Sequence, residues 1–189
     1  MSTQPKTKYT PEEYLALERQ SAAKSEYFAG EIFLMAGASE RHNLIVANLI
    51  AEWRNQLKNR PCKVYPSDMR VKISDSGLYT YPDVSIVCGE AEFEDDRKDT
   101  LINPTLIVEV LSESSEAYDR GKKFEHYRRI SSLSHYLLVA QDKPEVELFV
   151  RQVDGKWLFS AYSGFQSKVM LDSIHCELLL QEVYDKVTF

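Results

Sequence analysis

The sequence has no excess of basic residues: 23 Lys and Arg stand against 29 Asp and Glu, a formal net charge of −6. That balance argues against a tight, sequence-reading nucleic-acid binder and leaves room for an enzyme with only a local basic groove. Apolar runs near the ~20 residues of a membrane span are absent. Met1 to Lys8 is polar and lacks the apolar centre of a signal peptide. The expectation is a cytoplasmic protein with no membrane partner. The cysteines Cys62, Cys88 and Cys176 show no metal-ligand spacing and are expected as small buried thiols in a reducing compartment. No internal repeat, low-complexity tract, helix-turn-helix or zinc-finger pattern occurs.

What is present fits a folded chain with a core of its own. A length of 189 residues suits one domain, expected over 10–189 behind a flexible tail at 1–9, and is enough to fold without disulfides or a structural metal. Thr10-Pro11-Glu12-Glu13 is a capping box with proline at the first helical position, so a short helix should run to about Gln20. Ser25 to Phe28 and Glu31 to Met35, split by Ala29-Gly30, predict a hairpin. Ser39 opens a helix to about Lys58, with Ile45, Leu49, Trp53 and Leu57 as its apolar stripe. Strands are predicted at Lys63–Tyr65, Met69–Ile73 and Tyr81–Cys88, and an exposed acidic loop at Glu90–Asp99. Thr105 to Leu111 has the pattern of a central strand buried on both faces. A helix over Glu116–Ile130 and a strand over His135–Ala140 complete a parallel crossover. Val146–Val150 and Trp157–Tyr162 form a late hairpin, and Leu178–Val187 a short terminal helix. The fold class is α/β: a mixed central sheet flanked by helices, with extra β-hairpins.

Two carboxylates interrupt this pattern. Glu109 shares a strand face with Ile107 and Leu111. Unpaired there it would cost several kcal/mol, so it must pair with a cation, bind a metal or protonate. Asp83, after Pro82, opens a second apolar strand. Two such acids at one end of a sheet offer hard oxygen ligands suited to Mg²⁺ or Mn²⁺.

Pro82-Asp83 followed by Glu109-Val110-Leu111-Ser112 resembles the PD-(D/E)XK nuclease superfamily. More narrowly, the chain resembles the Uma-type, restriction-endonuclease-like family abundant in cyanobacterial genomes. The resemblance runs from about residue 10 to 187 through Tyr9-Thr10-Pro11-Glu12-Glu13-Tyr14, Glu26-Tyr27-Phe28-Ala29-Gly30-Glu31-Ile32, Met35-Ala36-Gly37-Ala38-Ser39, His42, Pro104, Asp119, Lys123 and Tyr127. It implies a restriction-endonuclease-like core and divalent-metal hydrolysis of phosphodiesters in nucleic acid, with DNA the expected substrate. It also implies Asp83 and Glu109 as metal ligands, with the Val110 carbonyl beside them, Glu26 as an added acid and Lys123 as the active-site lysine. The superfamily pattern would put lysine two positions after Glu109, where Leu111 stands; here the lysine is displaced onto the following helix.

Other residues keep two readings. Glu26 is a solvent-facing strand residue or a member of the metal site, with Glu31 its rival. His42 is a surface residue at a helix start or a group that positions water or phosphate. Arg120, Lys122, Lys123, Arg128 and Arg129 form a solvated helix face or a cationic approach for phosphate. Phe124 and Tyr127 read as core contacts. On a helical wheel Lys123 falls on the packed face and Lys122 nearly opposite, so Lys123 either meets the carboxylates, or only snorkels along the apolar face or pairs with Asp119. The aromatics Phe149, Trp157, Phe159 and Tyr162 of the late hairpin predict a homodimer. A non-catalytic binding or assembly module that keeps the fold is the alternative function.

Overall fold

The computed structural model describes residues 8–113 and 115–189. Helix α1 (Pro11–Glu18) starts with the expected capping box: Glu13 N–H donates to Thr10 Oγ1, and Thr10 N–H donates to Glu13. Strands β1 (Ser25–Phe28) and β2 (Glu31–Leu34) pair across Ala29 and Gly30, both at positive φ, as a tight hairpin turn demands. Of the expected tail, residues 1–7 lie outside the described residues. Tyr9 is anchored instead, its N–H bonded to Gly30 O and its carbonyl accepting from the Tyr27 hydroxyl.

Helix α2 (Glu40–Gln56) is capped by Ser39 and buries Ile45, Leu49 and Trp53. It is followed by β3 (Cys62–Pro66), β4 (Arg70–Ile73), β5 (Leu78–Thr80), β6 (Val84–Cys88), β7 (Thr100–Leu101) and β8 (Leu106–Leu111). The strand expected over Tyr81–Cys88 therefore begins only at Val84, and the turn at Asp75–Gly77 joins β4 to β5, a strand the sequence pattern does not predict. Beyond β8 the helical stretch is short and broken: α3 (Glu116–Tyr118), a π-turn (Asp119–Lys123) and α4 (Phe124–Tyr127). It ends three residues before the expected Ile130. Next come β9 (His135–Ala140), β10 (Glu145–Arg151), β11 (Trp157–Ser163), β12 (Lys168–Leu171), β13 (Cys176–Leu179) and α5 (Leu180–Val183). The β12–β13 pair is a further departure from the expected elements, and it takes the start of the expected terminal helix.

The central sheet has six strands in the order β11-β10-β9-β8-β6-β3. Strand β8 runs parallel to β9 and antiparallel to β6, so the crossover closes as expected and every residue of β8 is buried. A second sheet, β2-β1-β5-β4-β7, packs on one face of the first. That face carries Ile107, Leu111, Tyr136 and Leu138, joined by Tyr127, Ile130 and Leu133. The opposite face, with Val108, Val110, Leu137 and Val139, packs on α2, β12, β13 and α5. Alternation along β8 thus sends Glu109 to the two-sheet side.

The cysteine expectation is corrected. Cys62 and Cys88 are disulfide-bonded, because the antiparallel register of β3 and β6 sets them directly opposite; Cys176 alone is free and buried. The late-hairpin aromatics are also less exposed than expected. Phe149 and Trp157 pack on Phe124, leaving Phe159 half exposed at the end of the ladder. Among the described residues no helix is long and apolar enough to cross a membrane.

Candidate active site

Four of the expected residues meet where the two sheets and the π-turn converge. Glu109 comes from β8, Glu26 from β1, Lys123 from the π-turn, and Asp83 from the link into β6. Lys123 Nζ lies 2.9 Å from Glu109 Oε1, 3.4 Å from Glu26 Oε1 and 3.5 Å from Asp119 Oδ1. Its side chain is only 7% exposed. Burial alone would drive the proton off this lysine, but Glu109, Glu26 and Asp119 outweigh burial and hold the ammonium well above the ordinary lysine value. Lys122, its neighbour, is exposed.

Glu109 Oε1 also accepts the Tyr127 hydroxyl at 2.7 Å. Burial pushes the Glu109 carboxyl well above the usual carboxylate range; Lys123 pulls it back, while Asp119 and Asp83 push it further. Asp119 is raised by its own burial, opposed by Lys123. The Thr80 hydroxyl donates to Glu26 Oε1, so β5 holds the carboxylate that β1 presents.

Asp83 is held at both oxygens. Oδ2 accepts the Val110 N–H at 2.7 Å, and Oδ1 lies 2.9 Å from His42 Nε2. The β6–β8 ladder stops at the Val84–Val108 pair. The Asp83 side chain then takes a β8 amide that a longer β6 would have met with a carbonyl, in keeping with a strand that starts at Val84 and not at Tyr81. Val110 thus enters the site through its amide.

The sequence pattern leaves some of these partners open and is silent on others. His42 resolves toward the site, its first-turn position on α2 aiming it at Asp83. Tyr127 is a core residue and a Glu109 donor at once. Thr80 carries no signal in the sequence. Glu31 sits at the exposed far end of β2. The basic cluster divides: Lys123 is buried in the site, whereas Arg120 donates to Glu116 and Glu147 and Arg129 pairs with Glu125. A cavity of about 740 Å³ opens at the C-terminal ends of β8 and β9, lined by Ser39, Arg41, Ser112, Arg120, Gln141 and Lys143 among others. Its lining includes the chain neighbours of His42 and Asp119.

The donor set can be tested against a metal. Among the described residues no three His, Cys, Asp or Glu side chains converge as a ready-made cage. Mg²⁺ commonly needs fewer, using one or two carboxylates with water and substrate phosphate. The site holds four carboxylates (Glu26, Asp83, Glu109, Asp119) within electrostatic reach of one another and one buried ammonium, an excess of negative charge made of hard oxygens. A divalent cation fits that chemistry.

A mixed sheet with a parallel crossover and acids gathered beside the ends of its central strands defines a restriction-endonuclease-like α/β fold. The chain belongs to the Uma2 family, described as "Putative restriction endonuclease", which it matches over residues 11–181. Two uncharacterized proteins of Synechocystis sp. are similar to it. One is 38% identical over 98% of this chain and 96% of its own length, the other 38% identical over 85% and 90%. The crystal structure of a putative nuclease belonging to DUF820 from Anabaena variabilis has the same fold, with TM-score 0.76 at 18% identity over 94% of this chain and 98% of that one.

Proposed function

We propose that the protein is a divalent-metal-dependent endonuclease that hydrolyses phosphodiester bonds in DNA. The observation that carries the reading is the Glu109–Lys123–Glu26 cluster with Asp83 beside it: a charged lysine kept dry among carboxylates. Asp83, Glu109 and the Val110 carbonyl would hold Mg²⁺ or Mn²⁺, which when bound supplies an acidified water and neutralises charge on the phosphoryl oxygens. The chain's own residues do the rest. Val110 N–H and His42 fix the Asp83 carboxylate in advance, so its orientation costs nothing at the moment of reaction. Tyr127 fixes Glu109 in the same way. Lys123 keeps a fixed positive charge beside the place where phosphate charge develops and orients the attacking water, and Glu26 holds that ammonium from the other sheet. We propose a cytoplasmic homodimer, one copy for each DNA strand.

The test is cleavage of duplex DNA, single-stranded DNA and RNA with Mg²⁺ or Mn²⁺. Cleavage should stop with chelator, and Glu109→Ala should lower it about a hundredfold or more, the scale of losing one transition-state contact. A wild-type protein that binds Mn²⁺ and cuts none of the panel sinks the reading. The second reading, a binding module without turnover, draws on the missing three-ligand cage; it predicts no Mn²⁺ binding through Asp83 and Glu109.

A further inference from the structure

Of the sheet edges, β11 stands apart. β3 carries Lys63 and Pro66, β2 is four residues long and carries Glu31, and β7 has two residues. Charge, proline and shortness are the usual devices that keep an edge from pairing with another chain. Strand β11, Trp157-Leu158-Phe159-Ser160-Ala161-Tyr162-Ser163, has seven residues and none of these devices. Leu158 and Phe159 are among its exposed residues.

The hydrogen-bond phase of this edge can be read from its ends. Gln152 N–H donates to Lys156 O at one end of the hairpin and Gly164 N–H to Pro144 O at the other. Both bonds use even-numbered residues on the β11 side, and bonding pairs alternate along an antiparallel ladder. Leu158, Ser160 and Tyr162 therefore turn their backbone groups to β10, while Trp157, Phe159, Ala161 and Ser163 turn theirs outward. The Ser163 carbonyl is taken by the Ser167 hydroxyl. Among the described residues no hydrogen bond reaches the outward groups of Trp157, Phe159 or Ala161.

We propose that β11 pairs antiparallel with β11 of a second copy about a two-fold axis at Ser160, joining two six-stranded sheets into one of twelve. This takes up the homodimer proposed above and names its surface, and it does not depend on hydrolysis. The strand complements itself in that register. Phe159 faces Ala161 of the second copy, and Trp157 faces Ser163; in the first pair the outward amides and carbonyls face each other as bonding partners, and in the second the Ser163 carbonyl is already engaged by Ser167. Leu158 meets Tyr162, and Ser160 meets itself at a non-bonded position. Each aromatic of the outward set lies opposite a small residue. No charge stands opposite a like charge, which matters in a chain of net charge −6.

Sedimentation of the full chain should give a dimer. Ala161→Pro removes one outward N–H per copy at an edge position where proline is tolerated, and should raise the dissociation constant at least about tenfold with the circular dichroism unchanged. Ser160→Cys tests the register directly. Non-bonded antiparallel partners sit about 4.5 Å apart at Cα, within reach of a disulfide. Mild oxidation should give a covalent dimer in this variant and none in the wild type, whose Cys62 and Cys88 are joined to each other and whose Cys176 is buried. The proposal falls if the wild type sediments as a monomer, or as a dimer that Ser160→Cys does not cross-link. Either result leaves the hydrolysis reading untouched, since no activity is measured.

Discussion

Lys122 and Lys123 carry the same charge and differ in everything around it. Lys122 projects into water, where its replacement should move stability by less than about 0.5 kcal/mol. Lys123→Met leaves Glu109, Glu26 and Asp119 without their shared cation, and breaking a buried pair from one side costs about 3–5 kcal/mol. Urea titration of the two methionine variants should separate them by that margin, and Lys123→Met alone should lose turnover. Equal midpoints would mean that the carboxylates do not need the lysine. Tyr127→Phe is a milder probe. It removes only the hydroxyl that donates to Glu109 and should cost about 1 kcal/mol, the net worth of one hydrogen bond, since Lys123 still faces the same oxygen. Glu109 is legible in the sequence alone, because a carboxylate inside a β-branched run contradicts its surroundings. Lys123 is legible from helical phase, and although a π-turn replaces the expected α-helix there, the residue still meets Glu109 on β8. His42 is legible only as one of two readings and Thr80 not at all, since a polar residue at a helix start or a strand end contradicts nothing.

At the scale of elements, α1 is tied to the five-stranded sheet by ions as well as by the packing of Tyr14 on Tyr27 and Tyr79. Arg19, its C-terminal cap, reaches Asp99 with bonds of 2.7 and 2.9 Å and Asp95 with one of 2.7 Å. Asp99 also faces the buried Arg70, whose Nη1 and Nε donate to Tyr81 and Thr100. The acidic loop expected to be merely solvated therefore includes a clamp. The Arg19 hydrogen bonds, with burial opposing and Arg70 assisting, hold the Asp99 carboxyl down at about 2. An unfolded aspartate titrates near 3.9. The folded value is the lower one, so the stabilisation is complete above about pH 4 and lost as pH falls toward 2. Asp99 is about one-third exposed, so screening reduces the contribution to on the order of 1 kcal/mol. Asp99→Asn should lower stability at pH 6 by that amount and make no difference at pH 2; a constant deficit at both would assign the effect to packing. Short elements such as β5 and β7 escape sequence reading for a related reason. Leu78–Thr80 runs straight into Tyr81-Pro82, and only pairing with β1 and β4 separates it from β6. The Cys62–Cys88 bond is equally a matter of register, invisible until β3 and β6 are aligned.

For the whole molecule, charge sets the terms on which it can meet a nucleic acid. A chain of net charge −6 gains no long-range attraction to a polyanion, and within it the site sets four carboxylates against one lysine. Affinity must then be generated locally, and a bound divalent cation is the most direct means. The same excess predicts how metal and fold are linked. The unfolded chain scatters Asp83, Glu109 and Asp119, so a cation that binds only when they are gathered stabilises the native state by mass action. At a hundredfold excess over the dissociation constant the gain is about 2.7 kcal/mol. For a domain of this size that corresponds to a rise in melting temperature of roughly 5–10 °C. Thermal melts with and without Mn²⁺ should show this shift for the wild type. Asp83→Ala and Glu109→Ala should each abolish it while leaving a folded protein, since Lys123 keeps Glu26 and Asp119 as partners when Glu109 is gone. A wild-type midpoint that ignores Mn²⁺ while the fold is intact would remove the metal from the site, and with it the case for phosphodiester hydrolysis.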